Sequence, residues 1–216
     1  PVLALYPGTR NDVEFYLTTR EGDSYQQKVT IETEELPEDF PEIGYERVLP
    51  GQIAEGFTFL HLGRYNEDGN YRALPCAVDS YGTVRWYYQG DIGHVMKMTE
   101  QGTLLIQEGD SLVEMDLMGR KVRTLPPLMY GLHHDVAFME NGNLLALSTA
   151  PSSFEDGVVE LDGETGSYVQ GWDFREILDK DRPSQPRNLE PADWLHLNGI
   201  DYDHRDDSFI VSGRDQ

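Results

Sequence analysis

The chain has 216 residues, a formal net charge of −22 and an isoelectric point of about 4.4. Such a surface repels phosphate backbones and argues against nucleic acid as a partner. Hydrophobic residues make up 38% and aromatic residues 11%, enough for a packed core, while the apolar runs are too short to cross a bilayer as a helix.

In chain order, residues 1–57 hold two strand candidates, Val13–Leu17 and Gln27–Ile31, and an acidic, proline-containing link over Glu34–Gly44. They read as the end of a separate small β region. The first residues show neither a basic nor an apolar leader, so no compartment is assigned from them. Residues 58–216 read as an incomplete β-propeller, about three blades plus the start of another. Ala77–Tyr88 gives two strands around a Tyr81-Gly82 turn. The single cysteine, Cys76, can close no intrachain disulfide and is expected as a buried thiol.

A repeat then becomes visible. His94 and Gly102 are eight residues apart, as are His134 and Gly142, and the two histidines are 40 residues apart. That period suits a four-stranded blade, roughly 40–50 residues in known repeats. In the first blade the expected strands are Val95–Thr99, Thr103–Gln107, Ser111–Leu117 and Lys121–Leu125. In the second they are Val136–Met139, Leu144–Ser148, Gly157–Leu161 and Tyr168–Trp172. Phe174, Ile177 and Leu178 fall at helical spacing over 173–182, with Asp173 as N-cap. An irregular loop is expected over Pro183–Pro191. A third histidine-led strand follows at His196, with Ile200 on it. The inner strands near Val95, Val136 and Ile200 are expected side by side, and the chain reads as stopping soon after a second strand, with open sheet edges.

Four of the six histidines, His94, His133, His134 and His196, fall at the same blade position. His196 and Asn198 are two apart, which puts both on one side of a strand. Arg214 ends the next strand, and its planar fork suits a tetrahedral oxyanion. An acid/base, an amide donor and a guanidinium thus converge. A metal site from His133-His134-Asp135 is disfavoured, because neighbours on a strand face opposite sides. A calcium site from Asp201, Asp203, Asp206 and Asp207 is explained more simply as a polar turn.

The run Asp193–Arg214 resembles the signature of the arylsulfate sulfotransferase family, a nucleotide-independent bacterial β-propeller family. So do Ala77–Tyr87, the Trp172–Leu178 helix start, His133-His134-Asp135 ahead of Asn141-Gly142, and the opening Leu3–Pro7. The resemblance implies a six-bladed propeller that moves a sulfuryl group from an aryl sulfate to a phenol through a sulfohistidine. It implies His196, Asn198 and Arg214 in sulfate binding and proton transfer. A further active-site histidine would be His94 by blade position, or His133 or His134 by local motif, with His133 also a substrate contact. The nucleophilic histidine would lie on a blade beyond residue 216, so that this chain alone is inactive. No cofactor and no membrane partner are implied, a periplasmic or extracellular location is, and a homodimer is possible. The alternative is a non-catalytic propeller serving as a binding platform, in which these side chains would scatter.

Overall fold

A computed structural model of the chain describes residues 1–49, 52–65, 71–90, 92–128, 131–150, 153–179, 181 and 194–215. Its elements are strands with one short helix among the described residues, so the fold is all-β. Contacts divide the chain into two compact units, Pro1–Arg64 with Leu74–Gln89, and Tyr65–Ala73 with Gly90–Gln216.

In the first unit, β1 (Arg10–Thr18) and β2 (Ser24–Glu32) form an antiparallel hairpin in register from Arg10 opposite Glu32 to Thr18 opposite Ser24. A three-stranded sheet follows, β3 (Thr58–Tyr65), β4 (Tyr71–Val78) and β5 (Val84–Tyr87), in that order. Asp79 closes the β4–β5 turn by accepting the Tyr81 and Thr83 N–H groups at 2.9 and 3.1 Å. Cys76, Val78 and Val84 form a small core, and Leu36, Phe40 and Ile43 pack on it. The acidic link therefore contributes apolar side chains that seal a sheet. Burial pushes the Cys76 thiol up to about 11, which keeps it protonated and unreactive at neutral pH.

The second unit is built of blades. β6 (Met96–Met98), β7 (Leu104–Glu108), β8 (Ser111–Met115) and β9 (Lys121–Thr124) pair antiparallel in sequence order. So do β10 (Leu132–Phe138), β11 (Leu144–Ala150), β12 (Ser153–Leu161) and β13 (Tyr168–Asp173). The hairpin β14 (Leu197–Asp203) and β15 (Ser208–Gly213) begins a third blade. The equivalent turn glycines Gly102 and Gly142 have φ of +77° and +88°, a region costly for other residues, which is why the repeat carries glycine there. Burial grades across each blade. β7 is almost wholly buried, and all four residues of the outermost strand β9 are exposed.

The second strand of the middle blade is apolar from Leu144 to Leu147 because both of its faces are covered there. Leu144 and Ala146 join Val95, Leu105, Leu112 and Leu125 of the preceding blade in one core. Leu145 and Leu147 point the other way and join Trp194, Leu195, Leu197 and Ile200 of the following blade. The innermost strands are neighbours, as the repeat predicts. Asp135 on β10 meets Lys97 Nζ of β6 at 3.0 Å and accepts the Ile200 N–H of β14 at 3.3 Å.

Two differences from the sequence expectations bear on the site. The first strand of the middle blade begins at Leu132 rather than Val136, and its register shifts between those residues. The helix is a single turn, α1 (Phe174–Ile177), although Asp173 does cap it by accepting the Arg175 N–H at 3.0 Å. The loop expected over Pro183–Pro191 lies outside the described residues. The polar turn after β14 engages its carboxylates locally: Asp203 with Arg205, Asp206 with Ser208 and Asp207 with Tyr202.

Leu147 is fully buried between two blades. Leu147→Ala should cost about 2–5 kcal/mol of unfolding free energy, read from denaturant midpoints. A loss under about 1 kcal/mol would mean that this interface is not tightly packed.

Candidate active site at the innermost strand ends

Four imidazoles meet where the first strands of successive blades begin. His94 stacks on His134, with ring centroids 4.6 Å apart and planes 20° from parallel. His133 meets His134 edge-on at 5.4 Å, and His134 meets His196 at 5.0 Å. The Nε2 atoms of His134 and His196 are 3.0 Å apart, a distance that requires one proton between them.

Neighbours on a regular strand would face opposite sides, and His133 and His134 do not. His134 has φ +49°, and the shifted register of β10 interrupts the alternation, so the two rings touch. The argument that adjacency rules out a shared ligand therefore fails here. His133, His134 and Glu155 each offer a ligand atom, all within 4.8 Å of one another. Glu155 Oε2, however, already lies 2.7 Å from His196 Nδ1 and 4.0 Å from His134 Nε2. Asp135, the third residue of the predicted trio, turns to Lys97 and Ile200 instead.

The backbone that presents His196 is held by a buried carboxylate. Asp156, fully buried at the start of the apolar run of β12, accepts the Leu195 and His196 N–H groups on Oδ1 at 2.8 and 3.0 Å. Its Oδ2 takes the Trp194 N–H at 3.4 Å and lies 3.5 Å from Arg175 Nε. On the other side, the Arg214 N–H donates to the His196 carbonyl at 2.9 Å and the Asp215 N–H to the Leu195 carbonyl at 3.2 Å. Gly213 makes that approach possible, since a Cβ there would meet Leu195 Cδ1 at 2.6 Å. His94 is placed by an analogous device. The buried Gln107 side chain accepts the His94 N–H at 3.0 Å and donates to the Leu132 carbonyl of the next blade at 2.9 Å.

Among the described residues, five non-glycine residues have positive φ, and His134, Glu155 and His196 are three of them, at +49°, +56° and +50°. Such conformations are costly and survive where surrounding contacts over-determine them. Arg214 contacts the buried carboxylate of Asp215 at 3.1 and 3.4 Å, and its charge disfavours protonation of His134. Asn198 is exposed, and its Oδ1 accepts the Ser212 hydroxyl at 2.9 Å. Burial, reinforced by the neighbouring imidazoles, lowers both His133 and His134 to about 4. Both are neutral at pH 7.

Sequence reasoning missed Gln107, Glu155 and Asp156. No spacing rule marks them, and Glu155 and Asp156 are two among 39 acidic residues.

Four-stranded antiparallel blades, with a histidine cluster at the starts of their innermost strands, define a propeller-type protein with a polar site facing the inner edge. Residues 28–216 match the family described as Arylsulfotransferase (ASST), and the chain belongs to that family. It is 29% identical, over 199 aligned positions, to an arylsulfate sulfotransferase of Escherichia coli O6:H1. It is 27% identical, over 198 positions, to that of Lelliottia amnigena. Each alignment covers 64% of this chain and 33% of the relative, so the chain spans about a third of the length of these curated relatives. A crystal structure of a protein of unknown function from Bacteroides caccae overlaps 79% of this chain and 60% of its own, at TM-score 0.38 and 14% identity.

Asp156→Ala should strip the Trp194–His196 segment of its acceptor and cost about 3 kcal/mol or more, because several buried donors lose their partner at once. Chemical unfolding measures this. A cost below about 1 kcal/mol would mean that the segment is held by other contacts.

The two depressed imidazoles also set a pH dependence. An unfolded histidine titrates near 6.5, so between about pH 6.5 and 4 the unfolded chain binds protons that folded His133 and His134 refuse. Their contribution is complete above about pH 6.5 and declines as pH falls towards 4. His133→Gln should flatten this decline relative to wild type when unfolding is compared at pH 7.5 and 4.5. Identical slopes would exclude His133 as a source.

Proposed function

We propose that the whole protein transfers a sulfuryl group from an aryl sulfate to a phenol through a sulfohistidine. In this reading His196, Asn198 and Arg214 contribute to the site together with His94 or His134. The observation that carries it is the pair His134 and His196 in Nε2-to-Nε2 contact at 3.0 Å, with the charge of Arg214 acting on His134. Family membership supplies the reaction class.

The residue types suit the chemistry. A neutral imidazole attacks sulfur, the aryl O–S bond breaks, and the leaving phenolate takes a proton from His196 acting as imidazolium. In the second half, the acceptor phenol returns a proton to the same imidazole as its oxygen attacks sulfur, and the N–S bond breaks. Arg214 and the Asn198 amide would oppose charge on the non-bridging sulfuryl oxygens. His133 is a buried neighbour of this array and completes the substrate contact set. By resemblance, the sulfated histidine lies on a later blade. A nucleotide or metal cofactor has no step in this scheme. A periplasmic or extracellular setting and a homodimer belong to the same proposal. Among the described residues no helix is long and apolar enough to cross a membrane. The non-catalytic platform is the weaker reading, since the four imidazoles converge rather than scatter and the named relatives are sulfotransferases.

In the whole protein, His196→Ala or Arg214→Ala should slow release of a coloured phenol from its sulfate ester by on the order of a hundredfold or more, as loss of one oxyanion donor does elsewhere. Variants within a few-fold of wild type would overturn these roles. The 216-residue chain alone should release no phenol. Turnover by it would place the nucleophile among His94, His133, His134 and His196.

A further inference from the structure

We infer that Glu155 is a positioning residue that fixes His196 in the Nδ1–H tautomer, so that Nε2 is the atom presented to His134. Glu155 Oε2 lies 2.7 Å from His196 Nδ1. At that distance the carboxylate charge favours a proton on the facing nitrogen, which places it on Nδ1 rather than Nε2. The 3.0 Å contact between the Nε2 atoms of His134 and His196 requires one proton between them. In neutral His196, Nε2 is then the acceptor and His134 the donor. When His196 gains a proton on Nε2, the donor and acceptor exchange, and His134 remains neutral, in keeping with its lowered affinity for protons.

The local structure is specialised for this contact. Glu155 has φ +56°, and its side chain is mostly buried. The next residue, Asp156, points to the backbone of the same segment and holds His196 by its N–H at 3.0 Å. Consecutive carboxylates of β12 thus fix the histidine twice, one by its main chain and one by its ring. The catalytic consequence rests on the proposed transfer reaction. A carboxylate behind Nδ1 stabilises the imidazolium that must deliver a proton from Nε2 to the leaving phenolate. The tautomer itself does not depend on that reaction.

The test is nitrogen-detected imidazole spectroscopy on the 216-residue chain with 15N-labelled histidine, with His196 assigned by comparison with His196→Gln. The wild type should show His196 Nδ1 protonated, with its proton shifted downfield. Glu155→Gln should keep that proton through the amide oxygen but move it upfield. Glu155→Ala should move the proton to Nε2. An unprotonated Nδ1 in the wild type overturns the inference, as does an unchanged spectrum in a folded Glu155→Ala chain. Should Glu155→Ala fail to fold, the wild type and Glu155→Gln decide. In the whole protein Glu155→Gln should lower kcat by roughly tenfold to a hundredfold with little change in KM. An inactive wild type with the expected tautomer would sink the transfer reaction and leave this inference standing.

Discussion

Asp156 accepts N–H groups from three consecutive residues, Trp194, Leu195 and His196, inside a region that water does not reach. An ionised carboxylate is tolerable there only because so many donors surround it. This network is what allows His196 its left-handed backbone, and that backbone turns the imidazole toward His134 rather than along the strand. The pairing of Arg214 and Asp215 with the carbonyls of the same segment follows from it, and Gly213 supplies the clearance. Release the carboxylate, and the third blade loses its fixed starting point.

The parts of the fold legible in the sequence are those that depend on local rules. Gly102 and Gly142 mark equivalent turns because a positive φ needs glycine, and the apolar runs read as strands at 103–107 and 144–148 lie in strands at Leu104–Glu108 and Leu144–Ala150. The histidines could be grouped by their position in the repeat. Their orientations could not. His134 and His196 take conformations that no local propensity favours and that only tertiary contacts sustain, so the assumption of alternating faces failed at the one place where it mattered for chemistry. Leu36, Phe40 and Ile43 were hidden for a related reason. Set among acids and prolines they read as a linker, and only the sheet they cover reveals them as packing residues.

The electrostatics of the site run against those of the chain. A net charge of −22 would repel an anion at long range, yet that repulsion is screened over about 8–10 Å at ordinary ionic strength. Within that range the site presents imidazoles and the Arg214 guanidinium, with the Glu155 and Asp215 carboxylates beside them. His133 and His134 are neutral at pH 7, so they contribute lone pairs and N–H dipoles rather than charge. Arg214 is a guanidinium held by the buried carboxylate of Asp215. Electrostatic forces from such a group are short-ranged and directional.

The polar groups that place the histidines are shared between blades. Gln107 serves the strand after its own blade, Asp135 touches the strands on both sides, and Asp156 holds the segment that follows. Propellers are usually thought of as arrays that lengthen or shorten by copying a module. A copied module here would arrive with its glycine turns and its apolar strand but would leave its neighbour without the acceptor that neighbour needs. Copying or deleting one of the histidine-bearing blades would therefore disturb the placement of the histidine in the next.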